Sequence, residues 1–209
     1  MTRIVAIDTT SEFGSIALAE EGRLVEEVLL HAPDGFAHLL FQHLEKLLKR
    51  HHWRWEQVTG FAAAAGPGSF TGVRVGLAAA KGLAEASGAL AAAISNLQAM
   101  ASFGHAALRA PFFDARRGEI YGALYDDHLQ PLGPEVVAKF PVWLASLPKE
   151  AELLTPDPAP FGVSATATPR ALAGAIALLA FDRLEDPARL DANYVRRSDA
   201  ELHWREPGA

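Results

Sequence analysis

One stretch constrains the fold of this chain more than any other, and it reads Gly66-Pro67-Gly68-Ser69-Phe70-Thr71-Gly72. An apolar run at residues 61–65 precedes it and is typical of a buried strand. Glycine permits positive φ, proline restricts φ, and serine or threonine caps helices, so the stretch predicts a tight turn into a helix. We expect that helix to run from Gly72 to about Ala86.

The predicted helix has one face with almost no side-chain volume. Gly72, Gly76 and Ala80 are spaced four residues apart and therefore share that face. One interpretation is a phosphate site, because a glycine loop entering a helix presents N–H groups and a positive dipole end. However, Lys81 lies too far along for a P-loop, and the third glycine comes one residue late for a dinucleotide fingerprint. Each helical glycine costs about 1 kcal/mol relative to alanine, which favours close backbone packing.

Composition excludes several classes of function. The 209 residues are 50% hydrophobic and 21% charged, as in ordinary globular proteins, and suit one large domain or two small lobes. The net charge of −6 argues against a dominant electrostatic grip on nucleic acid. There is no cysteine, which removes thiol chemistry and disulfides. No signal peptide or membrane span is expected, so we predict a cytoplasmic protein.

The pattern before the glycine stretch predicts a β-meander followed by a helix. Apolar runs at residues 4–8, 15–19 and 24–30 are separated by polar turns, which is typical of antiparallel strands. Apolar residues then recur at helical spacing from Phe36 through Leu40 and Leu44 to Leu48.

A second unit is predicted to begin near Pro111. An offset of 106 residues places Asp8 on Asp114 and Ala17 on Ala123, each within a strand-turn-strand pattern. We therefore predict two lobes from a duplicated unit, at residues 1–105 and 106–209.

The second copy is less regular. Thr168-Pro169 predicts a helix start, with Leu172, Ile176, Leu179 and Leu184 along the helix. The polar tail at residues 191–209 is expected to end in mobile positions and to return towards the first lobe.

Two polar segments are candidates for chemistry. Asp8, Thr9 and Thr10 offer a carboxylate and hydroxyls for a metal-bound phosphate, or form a turn bonded to its own backbone, and the residues alone leave both open. The segment from Asp114 to Glu119 contains Arg116 and Arg117. Arginine suits bidentate anion contacts, although a solvated turn is the simpler interpretation. No histidine pair has metal-binding spacing and no nucleophile elbow is present, so we expect no metal and no catalytic set.

Three segments together resemble the TsaB (YeaZ) family. They are residues 7–10, with Asp8, Thr9 and Thr10; residues 66–82, with Arg74; and residues 114–121, with Asp114, Arg116 and Arg117. The resemblance covers the chain from its start to about residue 130. It implies an α/β fold of the two-lobed actin/Hsp70/sugar-kinase (ASKHA) type with duplicated ribonuclease-H-like lobes.

The resemblance also implies a function. Such proteins act in forming N6-threonylcarbamoyladenosine at position 37 of tRNAs that read codons starting with A. The implied role is a non-catalytic scaffold that activates the TsaD transferase through the N-terminal lobe, joined by the TsaE ATPase, with tRNA contacted only indirectly. A homodimer through similar helices is also implied. No cofactor is expected, except a nucleotide at an interface with partners.

The residues agree with a scaffold in two ways. A TsaD-like catalyst is expected to carry His-x-x-x-His in its first long helix, whereas this chain has His38 and Gln42. The smooth face of the glycine helix then predicts a partner interface, and its candidate residues are Phe36, Leu40, Leu44, Gly72, Gly76 and Ala80.

The chain departs from the family in the second lobe. Members carry roughly Gly-Asp-Gly after a strand there, whereas residues 153–157 contain no glycine. An alternative function is an ATP-using phosphotransferase or a metallopeptidase-like enzyme of the same superfamily. The missing histidine pair argues against the peptidase, and the degraded second lobe argues against the kinase.

Overall fold

The structure, a computed structural model, describes residues 1–196. Its first sheet has five strands, which are β1 (Arg3–Asp8), β2 (Phe13–Glu20), β3 (Arg23–His31), β4 (Gly60–Gly66) and β5 (Leu90–Ser95). They lie in the order β3-β2-β1-β4-β5. The first three form an antiparallel meander, and β1, β4 and β5 are parallel.

Helices cover both faces of the first sheet. They are α1 (Leu40–Arg50), α2 (Phe70–Ser87), α3 (Asn96–Ala101) and, much later in the chain, α5 (Ala173–Ala180). The apolar sides of α1 and α2 pack with Val5, Ile7 and Phe61 on one face. The other face packs against α3 and α5 through alternate residues such as Ile4 and Ala6. Strands buried on both faces explain the continuous apolar runs in the sequence.

The second sheet is built from shorter strands. They are β6 (Leu108–Arg116), β7 (Glu119–Gly122), β8 (Tyr125–Asp126), β9 (Val136–Lys139), β10 (Glu152–Thr155) and β11 (Thr166–Ala167). The order is β11-β10-β6-β7-β9, with β8 paired to β6. Helix α4 (Phe140–Ser146) follows β9, and its Trp143 packs with Phe112 of β6. Single 3-10 turns lie at Trp55–Gln57, Ala159–Phe161 and Pro187–Arg189.

The two sheets have the same topology. In each, the first strand pairs antiparallel with the second and parallel with the fourth, and the third and fifth strands form the edges. The predicted α/β fold with duplicated ribonuclease-H-like lobes is therefore confirmed. The division of the chain between residues 105 and 106 stays a prediction.

The constant offset of 106 residues is wrong beyond the first strand of the repeat. Asp8 pairs with Ser15, seven residues later, whereas Asp114 pairs with Ile120, six residues later. The second hairpin is shorter by one residue and irregular between Asp114 and Arg116. A single offset therefore cannot align both strands of the two hairpins, and the match of Ala17 to Ala123 is out of register.

The predicted helix start at Thr168-Pro169 is also wrong. The Thr168 N–H donates to the Thr155 carbonyl at 3.0 Å, and α5 begins only at Ala173. Its first N–H groups are capped from the first sheet: Ala173 N donates to Ser15 Oγ at 3.0 Å and Gly174 N to Glu27 Oε1 at 2.9 Å. The helix start is set by these tertiary contacts rather than by a local threonine cap.

The end of α5 also differs from the prediction. Because the helix stops at Ala180, Leu184 lies beyond it and packs towards Gly60. Asn193 N donates to the Ala65 carbonyl at 2.8 Å, so the described part of the tail contacts the first sheet. The mobility predicted for the last positions concerns residues outside the described range.

Candidate functional site

The glycine stretch forms a turn between β4 and α2. Gly66 ends β4 with φ of +98°, a conformation that favours glycine. Ser69 is the N-cap of α2, and its Oγ accepts a hydrogen bond from Gly72 N at 3.3 Å. Gly88, with φ of +68°, ends the helix. The predicted strand, turn and helix are all confirmed.

The end of β1 packs directly against this glycine stretch. A Cβ on Gly72 would lie 2.0 Å from the Thr9 carbonyl oxygen, and one on Gly68 would lie 2.7 Å from the Thr10 carbonyl oxygen. A Cβ on Gly76 would lie 2.7 Å from Thr9 Oγ1. The Ser69 N–H donates to the Thr10 carbonyl at 2.7 Å. The small-residue face of α2 therefore packs against the end of β1 in the same chain. The Asp8–Thr10 segment and the glycine stretch, which were predicted separately, form one site.

The side chains of the site are joined by hydrogen bonds. Asp8 Oδ1 accepts from Thr10 N at 3.0 Å and from Thr10 Oγ1 at 2.6 Å. Asn96 donates through Nδ2 to Thr10 Oγ1 at 2.7 Å and accepts from Gly66 N at 3.0 Å. Thr9 Oγ1 donates to the Gly72 carbonyl at 2.7 Å. These polar groups therefore bond within the chain, as the turn interpretation of this segment described.

Burial changes the acid-base properties of Asp8. The side chain is 2% exposed, and this desolvation raises the pKa of Asp8 above its usual range. Asn96, 86 residues from Thr10, was not among the predicted site residues. Its position just after β5, at the same sheet edge as Asp8, was the available signal, because neighbouring parallel strands end at one edge.

The predicted partner interface is corrected by burial. Phe36, Leu40, Leu44 and Ala80 are at most 3% exposed and belong to the core of the first lobe. Gly72 and Gly76 face Thr9, as described above. The periodicity identified a tightly packed face correctly, but that face packs on the chain's own sheet. These six residues therefore do not form an exposed contact surface.

The second candidate segment is an exposed hairpin tip between β6 and β7. Asp114 Oδ1 accepts from Arg116 N at 2.8 Å, and both Arg116 and Arg117 have positive φ. Lys139 Nζ donates to the Arg117 carbonyl at 3.1 Å. Both arginine side chains lie at the surface. The predicted turn is confirmed, whereas an anion or partner contact stays a prediction.

One carboxylate joins the two lobes. Glu135 Oε1 accepts from the Tyr125 hydroxyl at 2.7 Å and also from the Ser95 hydroxyl at the end of β5. Glu135 Oε2 accepts from Asn193 Nδ2 at 2.6 Å. Burial and this neighbouring carboxylate raise the pKa of Tyr125, which keeps the phenol protonated as a donor. The carboxylate thus links the first lobe, the second lobe and the tail.

Among residues 1–196, no group of three or more His, Asp or Glu side chains is arranged to hold a metal ion. No described helix has the length and apolar character needed to cross a bilayer.

The fold and site define a class of protein: two ribonuclease-H-like lobes of the ASKHA type, with a glycine-rich helix packed on the first strand end. The model of the family TsaD, tRNA N6-adenosine threonylcarbamoyltransferase, matches residues 32–162. Because this match exceeds half of the chain, the chain belongs to that family, and its named relatives are TsaB (YeaZ) proteins.

Relatives and solved structures support this assignment. The chain is 32% identical over 149 residues to the "tRNA threonylcarbamoyladenosine biosynthesis protein TsaB" of Bacillus subtilis, covering 69% of this chain and 65% of that protein. It is 34% identical over 127 residues to the protein of the same name from Escherichia coli, covering 59% and 54%. The matches thus span less than two thirds of these relatives.

A Pseudomonas aeruginosa structure, described as an uncharacterized protein with similarity to peptidase YEAZ, has a TM-score of 0.78 at 23% identity. The comparison covers 94% of this chain and 100% of that one. At this identity it supports the fold alone.

Proposed function

We propose that this chain is a non-catalytic subunit of the complex that forms N6-threonylcarbamoyladenosine at position 37 of tRNAs reading codons that start with A. In this proposal it binds and activates a TsaD transferase, and the TsaE ATPase joins the complex. The family match and the names of the curated relatives support the pathway. The tRNA substrate would place the protein in the cytoplasm.

The non-catalytic role is supported by the hydrogen bonds that the polar groups at the end of β1 make within the chain. Asp8 Oδ1, Thr9 Oγ1 and Thr10 Oγ1 all take part in hydrogen bonds inside the chain. A phosphate or metal would have to replace these bonds and open the packing against Gly68 and Gly72. The raised pKa of Asp8 further weakens it as a metal ligand, because metals bind the charged carboxylate.

The contacts between the lobes argue against an independent nucleotide site. Glu135 places a carboxylate beside Ser95 and Tyr125 at the junction of the lobes. A triphosphate in this position would meet negative charge instead of the cations and N–H groups that usually bind it. We therefore propose that this chain needs no cofactor of its own, and that any nucleotide lies at an interface with partners.

The exposed side of α2 is a better partner surface than its buried side. Small exposed residues follow one another along this side of the helix at Thr71, Ala78, Gly82 and Ala86. The neighbouring helix α1 covers the same face of the sheet and exposes Phe41 at 52%. Small residues let a partner helix approach closely, and Phe41 supplies apolar area. We assign this surface to the TsaD subunit, with a homodimer as its alternative use.

Reconstitution tests the proposed function. The cognate TsaD, TsaE and adenylate-forming enzyme are combined with tRNA, with and without this chain, and threonylcarbamoyladenosine is measured. We expect product only when the chain is present, and neither ATP hydrolysis nor tRNA modification by the chain alone. If the chain is dispensable or modifies tRNA alone, the scaffold proposal fails and the enzyme alternative must be reopened.

The partner surface has its own test. We expect Ala78→Trp to weaken TsaD binding at least about tenfold, because a large side chain separates helices that pack 8–10 Å apart. Ala145→Trp, at an exposed alanine of α4 in the second lobe, is the matched control and should bind normally. Equal affinity of the two variants would reject the α2 surface while leaving the scaffold role to the reconstitution.

A further inference from the structure

The start of α2 carries aromatic rings and a cation that the proposed scaffold role does not use. Phe70 and Tyr194 are 39% and 43% exposed, and their ring centroids are 4.9 Å apart. The Arg74 guanidinium lies 3.8 Å from the centroid of Phe70, and Arg74 Nε donates to the Tyr194 hydroxyl at 3.0 Å. The two rings therefore orient an exposed arginine while keeping part of their own surface open to solvent.

The hairpin tip presents further cations. Arg116 and Arg117 are exposed at adjacent positions in a tight turn. Asp114 fixes the backbone of this turn through its hydrogen bond to Arg116 N. The turn thus presents arginine at the surface, and a guanidinium group suits bidentate binding of an anion.

The tail connects these two features. Arg196 lies two residues after Tyr194, and its side chain donates to the Ala115 carbonyl at 2.8 Å and to Glu119 at 2.5 Å. Its guanidinium also lies 5.7 Å from the Tyr121 ring centroid. The tail thus runs from the rings at the start of α2 to the hairpin between β6 and β7, and we call the following residues the arginine strip: Phe70, Arg74, Arg116, Arg117, Tyr194 and Arg196.

The inference depends on two exposed cations, Arg74 and Arg116, in a chain with a net charge of −6. Arg196 is instead paired with Glu119, at a side-chain exposure of 21%. Exposed guanidinium groups attract the phosphates of a polyanion. Exposed rings beside the cations favour RNA over an acidic peptide, because unpaired bases stack on aromatic side chains while arginine binds the phosphates.

We propose that the arginine strip binds the anticodon arm of tRNA directly, an inference that rests on the proposed function. In this proposal Arg74 and Arg116 contact phosphates, and an unstacked loop base lies against the exposed rings of Phe70 and Tyr194. Duplex RNA does not offer such a base, since its bases are stacked and paired. The chain would therefore hold the RNA loop in addition to holding its partner subunit.

The test measures binding of a fluorescent anticodon stem-loop RNA to the full chain, with a DNA hairpin of the same sequence as comparison. We expect Arg74→Glu with Arg116→Glu to weaken RNA binding at least about tenfold and to lower the slope of log affinity against log salt by about two. Tyr194→Ala should weaken binding about tenfold through lost stacking.

Arg23→Glu with Arg54→Glu is the matched control, since it also reverses two charges at exposed residues. Arg23 lies next to Glu20, at the opposite end of β1 and β2 from Asp8. The control should stay within about twofold of the unaltered chain, because salt screens distant charges. Circular dichroism confirms that each variant is folded.

Three outcomes overturn the inference. The first is RNA affinity equal in the strip variants and the control, and the second is equal affinity for the DNA hairpin. The third is loss of TsaD binding by the strip variants at unchanged RNA affinity, which would make the strip a protein interface. The scaffold role is unaffected by any of these outcomes if the unaltered chain still supports tRNA modification in the reconstitution. Failure of the RNA-binding inference can therefore be distinguished from failure of the proposed function.

Discussion

The two lobes share one strand order but differ in the connection between their fourth and fifth strands. In the first lobe this connection contains the 18-residue helix α2, and in the second it contains only the 3-10 turn Ala159–Phe161. The helix packs on the polar turn after β1 and buries Asp8 to 2% exposure. In the second lobe, Asp114 is exposed near the end of β6, and the turn that follows is an exposed hairpin tip.

This difference shows what a polar turn needs in order to become part of a core. Burying Asp8, Thr9 and Thr10 requires internal hydrogen bonds and a helix whose glycines admit their backbone. Where the helix is missing, the turn stays exposed at the surface. The polar turn is thus part of the core in the first lobe and part of the surface in the second.

The largest expected effect tests the glycine contact that distinguishes the first lobe. We expect Gly72→Ala to lower the free energy of unfolding by about 3 kcal/mol, because its Cβ would lie 2.0 Å from a backbone oxygen. Gly82→Ala lies on the same helix with open space around its Cβ and should stabilise by about 0.5–1 kcal/mol. Chemical denaturation measures the stability of both variants. Equal stabilities would contradict the close contact between Gly72 and the Thr9 carbonyl oxygen.

The next effect tests whether the lobes depend on each other. Glu135→Ala removes the acceptor shared by Ser95, Tyr125 and Asn193, and should destabilise by about 2 kcal/mol. When denaturation is monitored with one spectroscopic probe in each lobe, the two lobes should then unfold in separate transitions. Glu150→Ala, at an exposed acid of the second lobe, should change stability by at most about 0.5 kcal/mol. A single unchanged transition in Glu135→Ala would show that the lobes are joined by other contacts.

The pH dependence of stability tests the burial of Asp8. Since the pKa of Asp8 is raised in the folded chain, the unfolded chain loses this proton at lower pH. The contribution of Asp8 to the free energy of unfolding therefore falls as the pH rises from the pKa of Asp8 in the unfolded chain to its pKa in the folded chain. The fall is about 1.4 kcal/mol for each pH unit between these two values. Asp8→Asn does not titrate and keeps an oxygen acceptor for Thr10.

We therefore expect the stability of Asp8→Asn to rise relative to the unaltered chain as pH increases across that range. Denaturation at a series of pH values measures the difference. Asp114→Asn is the counterpart in the second lobe and should retain the pH dependence, because Asp8 is still present. A difference between Asp8→Asn and the unaltered chain that is independent of pH would argue against the buried carboxyl.

The smallest effect concerns the N-cap of α2. Ser69→Ala removes the acceptor for Gly72 N and should destabilise by about 0.5–1 kcal/mol, because the bond is long at 3.3 Å and exposed. Ser69→Asp keeps an acceptor at the cap and should restore stability. Thermal unfolding measures both, and an alanine variant as stable as the unaltered chain would show that water replaces the cap.

The sequence predicted part of the candidate site. The glycine spacing showed that something must approach α2 closely, and Asp8 to Thr10 were recognised as a polar turn. The six residues assigned to a partner surface were misplaced, because spacing identifies a face of a helix but not what covers it. Asn96 and Glu135 were missed, since their partners lie at sequence separations of 86 for Thr10 and 40 for Ser95.

The sequence by itself determined the local elements, the α/β class and the family, because strand patterns, glycine turns and motif residues act over short distances along the chain. Only the tertiary structure decided that the first strand end covers the glycine face. It likewise decided where α5 begins, since Ser15 and Glu27 supply its caps from far along the chain. Such contacts depend on how sheets and helices pack together, which local pattern does not contain.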